Sequence, residues 1–212
     1  MQSFSLRPVL APVLGVAICL LVSPHPGAAL RVGPLQRFTA RAVSVVDSKD
    51  VGPIDILVDH WSNDTERDAL QHTFIDKGAE ELLPVLHRLH GRAGVVLLPG
   101  VQSLGTRVRT RTPKNLLFAR ERVTKAGRQL VFIADQHVGL GEPAIYSRAE
   151  LQEFNLLDIR IGPDGKGFGK VARAKDVTYN KQTKMFEVKN YGELPARLVD
   201  VHVEKMTQQT TR

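Results

Sequence analysis

The segment "ADQHVGLGEP" gathers the side chains best suited to acid–base chemistry in this chain: Asp135, His137 and Glu142. A carboxylate beside an imidazole can orient it or share its proton, and a second carboxylate could act as the complementary acid or base. The segment follows the apolar run "QLVFIA". Polar residues at a strand's end, followed by glycines, are a frequent place for sites, and equally an ordinary surface loop. No recognised hydrolase pattern completes the set: there is no Gly-x-Ser-x-Gly elbow and no Ser-x-x-Lys at a helix start. Asp135, His137 and Glu142 are therefore candidates for an enzyme of unrecognised type.

His87 and His90, three residues apart, would share a helix face at a spacing that can hold a metal. A zinc site needs three or four ligands, no His-Glu-x-x-His pattern is present, and His60, His72, His137 and His202 are scattered. The expectation is no metal and no cofactor.

Arginines offer a second kind of chemistry. Arg107, Arg109 and Arg111 alternate along one predicted strand and share a face, while Arg120, Arg122, Lys125 and Arg128 follow on the next strands and turn. Paired as a hairpin, these strands would merge the charges into one basic patch. With a net charge of +7 for the whole chain, such a patch suits an anionic envelope polymer, a phosphate-bearing lipid or a small anionic ligand. Nucleic acid is the weakest choice, because aromatic stacking residues are not interleaved with the arginines. The plainer reading is a solvated strand face whose charges discourage aggregation.

The most motif-like stretch, "IRIGPDGKGFGKVA", is a turn. A Walker loop needs four residues between its glycines and a hydroxyl residue after Gly-Lys; Gly162 and Gly165 are too close, and Gly167 follows Lys166. Glycines at 165, 167 and 169 also miss the dinucleotide spacing. Pro163-Asp164-Gly165 is a good β-turn, with Gly167 and Gly169 permitting a bulge or a close crossing of backbones.

The elements that must position these residues are mostly strands. Ala42–Val46 and Ile54–Val58 are β-branched and apolar on either side of a turn. Asn63 and Glu66 stand at capping-box spacing and open a helix over about Asp64–Ile75. A second short helix runs through Leu82, Leu83, Leu86 and Leu89 to Gly91, and Pro84 must sit in its first turn or kink it. From Gly94 onward, apolar runs recur at short intervals between turns such as "RTPK", "TKAG" and "YNKQTK". The pattern predicts an α+β, mainly β domain: an antiparallel sandwich or barrel with a short helical hairpin, 63–90, inserted near its N-terminus.

At the N-terminus, Arg7 precedes a mostly apolar run from Val9 to Val22, and Gly27 and Ala29 are small residues placed for cleavage. This is the layout of a signal peptide over 1–29. The run is too short and too interrupted by proline for a comfortable membrane span. The single cysteine, Cys19, lies within it, so the mature chain would have no disulfide, no thiolate nucleophile and a charge of +6. Residues 30–206 then form one β-rich domain and 207–212 a polar tail. Export without disulfides suits a bacterial periplasm or cell surface.

The stretches "DHWSNDTERDAL", "ADQHVGLGEP", "EFNLLDIRIGPDGKGFGK" and "NYGELPARLVDV" together resemble a family of exported bacterial proteins with no established activity. The likeness extends from about Ile54 to Val203. Trp61, Ser62, Asp64, Glu66 and Arg67 match the family's opening into its helices, while Ala134-Asp135-Gln136 stands where the family often has Thr-Asp-Arg. The resemblance implies export and a helical opening followed by a strand-rich half. Three functions are open: a non-catalytic ligand-binding or interaction domain, an enzyme using Asp135, His137 and Glu142, and an assembly factor acting through an exposed strand edge.

Overall fold

The computed structural model describes residues 36–89, 91–102, 109–140, 153–189 and 196–204, with backbone alone at 101–102 and 109–110. The predicted leader, His90, Arg107, Glu142 and the predicted tail lie outside the described residues.

Alternation of apolar and polar residues builds eight of the strands into a closed barrel. They are β1 (Gln36–Ser44), β2 (Asp50–Val58), β3 (Gly94–Leu97), β6 (Pro113–Thr124), β7 (Gly127–Ala134), β8 (Asn155–Ile161), β9 (Gly167–Arg173) and β12 (Ala196–Glu204). Each is antiparallel to the next in chain order, and β12 closes on β1. The sequence left sandwich and barrel open; the barrel is what forms. Two two-stranded ribbons branch from it: β4 (Val101–Gln102) with β5 (Arg109–Thr110), and β10 (Val177–Asn180) with β11 (Met185–Val188).

Every second residue of the barrel strands points inward. Phe38, Ile54, Ile56, Leu130, Phe132, Leu157, Ile159 and Leu198 are fully buried there, so side chains fill the interior. Trp61 folds inward beside them, with its ring 6.5 Å from Phe38 and 6.1 Å from Phe132, centroid to centroid. Where β3 is too short to pair the rest of β6, the segment after β2 continues the wall. Ser62 N donates to Ala119 O at 2.7 Å, and Ala119 N donates to Ser62 Oγ at 3.2 Å.

The outer wall of β6–β9 is also buried in part, beneath the helical hairpin and the β10–β11 ribbon. The helix α1 (Asp64–Lys77) opens with the expected capping box: Glu66 N donates to Asn63 Oδ1 at 2.9 Å and Asn63 N donates to Glu66 Oε2 at 2.8 Å. A single 3-10 turn, Ala79–Glu81, leads into α2 (Leu82–Leu86), where Pro84 lies in the first turn. Leu70, Leu82 and Leu86 pack with Phe118, Val131, Ile133 and Phe186 in a second core. Phe118 reaches it through a register shift between Leu116 and Phe118. Leu116 stays in the interior cluster, while the extra residue turns Phe118 outward. Strand β7, covered on both sides, accordingly reads as the unbroken apolar run "LVFIA".

The glycine-rich stretch is the β8–β9 hairpin. Gly165 N donates to Gly162 O, Gly162 N donates to Lys166 O, and Gly165 adopts φ +79°. Gly169 lies in a close approach of three strands: a β-carbon there would come within 2.8 Å of Ile159 and 3.3 Å of Leu198.

Candidate functional site

The segment with Asp135 and His137 leaves the end of β7 and closes the barrel. Asp135 is tied to β6 twice: its N donates to Asn115 O at 3.1 Å, and Asn115 Nδ2 donates to its Oδ2 at 3.0 Å. Lys114 Nζ donates to Gln136 Oε1 at 2.8 Å. Val138 and Leu140 are buried and join the interior cluster, and Val138 N donates to Asn155 Oδ1 at the start of β8. Asn155 Nδ2 in turn donates to Ala172 O at 3.1 Å. The described part of the segment is thus a plug with His137 buried in it. Among the described residues, no group of three or more histidines, cysteines or carboxylates is placed to hold a metal.

Among the described arginines of the predicted patch, several are engaged in ion pairs. Arg111 is a clasp: it ion-pairs with buried Asp55 and donates to Leu97 O at 2.8 Å, Leu98 O at 3.0 Å and Pro53 O at 3.0 Å. Asp55 also receives Arg37 at 2.9 Å. Arg120 joins β6 to the start of α1, donating to Asp64 Oδ1 at 2.6 Å and Ser62 O at 3.2 Å. Arg67 reaches the same Asp64 oxygen at 2.9 Å. These two guanidiniums, Arg120 first, hold the Asp64 carboxyl below its ordinary value. Arg128 pairs with Glu121 and lies over the Phe38 ring, 5.6 Å from its centroid. Arg109 lies on β5.

Arg122 is different. Among the described residues its side chain makes no hydrogen bond or ion pair, and it faces a groove of ≈ 470 Å³ on the outer wall of β6–β9. Strand register assembles this groove. One cross-strand row runs Arg122, Gln129, Arg160, Phe168; the adjacent row runs Val131, Asp158, Lys170. Directly opposed residues of a sheet share a face, so these side chains project together. Gln129 and Asp158 are almost wholly buried at the floor, whereas Phe168 is 58% exposed at the rim.

The floor is electrostatically uneven. Gln129 Nε2 donates to Asp158 Oδ1 at 3.3 Å, and Arg160 Nε stands 3.5 Å from the same oxygen. Burial pushes the Asp158 carboxyl up against the pull of Arg160, and burial pushes the Lys170 ammonium down against the pull of Asp158. Gln129 Oε1 is buried and accepts no hydrogen bond in the structure. A buried acceptor left in this state costs free energy on the order of 1–3 kcal/mol, so a donor that reached it would be bound favourably.

Reading the sequence pointed to Arg122 but missed Gln129, Asp158, Arg160, Phe168 and Lys170. A partial signal was present: Asp158 and Arg160 alternate in "LLDIRIG", as do Phe168 and Lys170 in "GKGFGK".

Comparison of the chain with protein-family models, with curated proteins and with solved structures returns no match. Among the described residues, no helix is long and apolar enough to cross a membrane. The eight-stranded sheet is closed, each strand hydrogen-bonded to two neighbours.

Proposed function

We propose that the chain is an exported bacterial envelope protein whose mature barrel, from about residue 30, binds an anionic ligand without converting it. The observation that carries this reading is the groove itself, where unpaired Arg122 stands with Arg160 and Lys170 around a buried glutamine acceptor. Arg122, Arg160 and Lys170 outnumber the two carboxylates that face them, Asp158 and the Arg160 partner Glu187 at 3.5 Å, so a net positive field favours an anion, and the partly covered walls weaken it less than open water would. The barrel interior is filled by side chains, which favours a site on the outer wall over one inside the barrel. The leader-like residues 9–22 and the resemblance to exported proteins support the envelope part of the reading.

The ligand part is tested by titrating the mature protein with inorganic phosphate and following the side chains of Arg122, Arg160 and Lys170 by NMR. Saturable shifts confined to the groove, weakened by salt and lost in Arg122→Ala, are the expected result. Shifts that never saturate would remove the site. Export is tested separately by fusing residues 1–29 to a reporter that matures only outside the cytoplasm; an inactive fusion would remove that part.

A further inference from the structure

Resting on the anion-binding reading, we infer that the groove recognises an acidic saccharide: an anionic group joined to a neutral, hydroxyl-bearing ring. The rim and the floor ask for different things. Arg122, Arg160 and Lys170 can donate and cannot accept, so they call for an anion. Gln129 Oε1 and the Asp158 carboxylate can only accept and so call for donors. Those donors must be neutral, because an ammonium at the floor would meet the surrounding cations. Hydroxyl groups meet both conditions.

The orientation of the Gln129 amide is dictated by its neighbour. Its N–H group faces the Asp158 carboxylate, since the reverse would set two acceptors against each other, and the carbonyl oxygen is left over. Arg160, its side chain 45% exposed, stands 3.5 Å from both Asp158 and Glu187 at the edge of this floor.

Phe168 supplies the third element. It belongs to the row formed by Arg122, Gln129 and Arg160, yet its ring is mostly exposed on the outer wall. Exposing an aromatic ring beside a polar floor leaves apolar area uncovered, and the C–H face of a pyranose would cover it while its hydroxyls turn to Gln129 and Asp158. The volume lies within the ordinary range for small-molecule sites.

The test compares four probes on the full mature chain by NMR: inorganic phosphate, glucose, glucose 6-phosphate and a galacturonate tetramer. The expected result is that both acidic saccharides bind at least about tenfold more tightly than phosphate or glucose, moving the Gln129 side-chain amide and the Phe168 ring. A tetramer tighter than glucose 6-phosphate assigns the ligand to an acidic polymer; the reverse order assigns it to a free sugar phosphate. Equal affinity for phosphate and glucose 6-phosphate overturns the saccharide inference while leaving the anion site standing. No groove shift with any probe overturns both. Gln129→Leu and the rim variant Phe168→Ala should each reduce glucose 6-phosphate affinity to the level at which the same variant binds phosphate. Should Gln129→Leu fail to fold, Phe168→Ala decides, and retention of full saccharide affinity in it overturns the inference.

Discussion

Gln129 and Asp158 are joined across neighbouring strands on the outside of the barrel, with the amide Nε2 donating to the carboxylate Oδ1 at 3.3 Å. Both are buried, although each faces away from the barrel interior. The bond holds a carboxylate in a poorly hydrated place and turns the Gln129 carbonyl oxygen away from it, so one contact sets both the charge and the unmet acceptor of the groove.

Asp158→Asn is expected to stabilise the protein at neutral pH. Burial raises the Asp158 pKa, so the folded state holds its proton more tightly than the unfolded state does. Its contribution is therefore most favourable below the ordinary carboxylate pKa and declines as pH rises through the folded value. Urea unfolding should show the variant ahead at pH 7, with the gap closing towards pH 4. Phosphate affinity should rise several-fold, because a negative charge leaves the groove. A variant less stable at pH 7 would contradict the burial argument.

Arg120 and Arg122 alternate on β6 and face the same side, yet their substitution should have opposite signatures. Arg122→Ala should change stability by less than about 0.5 kcal/mol and abolish phosphate binding. Arg120→Ala unfastens β6 from Asp64 and Ser62, and should cost about 1 kcal/mol without altering phosphate binding. Chemical denaturation and NMR titration of both variants check the pair.

The Asp55–Arg111 clasp joins residues 56 positions apart. Asp55→Ala leaves Arg111 and Arg37 without their buried partner and should cost about 3 kcal/mol in urea unfolding. Arg111→Lys should not restore stability, because one ammonium cannot reach Asp55 and three carbonyls at once.

Leu140→Ala distinguishes a plug from an active-site loop. Leu140 is buried in the interior cluster, so truncation should cost about 3 kcal/mol. Thermal unfolding gives the measurement; a loss under about 0.5 kcal/mol would mean that the segment is not a stopper.

By itself, the sequence determined the local structure. Alternation in segments such as "ARAVSV" marks half-buried strands, Asn63 and Glu66 open the helix by satisfying each other's backbone, and Pro163-Asp164-Gly165 makes the hairpin turn. These signals are legible because the interactions span only a few residues. Tertiary structure alone decided the closure of the sheet, since a period of two is the same in a sandwich and a barrel and β12 meets β1 from the far end of the chain. It also decided which arginines were committed: Arg111 and Arg120 have partners that no local spacing reveals, while Arg122 has none among the described residues. The groove depends on register across β6–β9, where a slip of one residue would turn Gln129 into the barrel. Side chains from four strands meet there because the strands pair as they do, and that pairing is a property of the folded sheet.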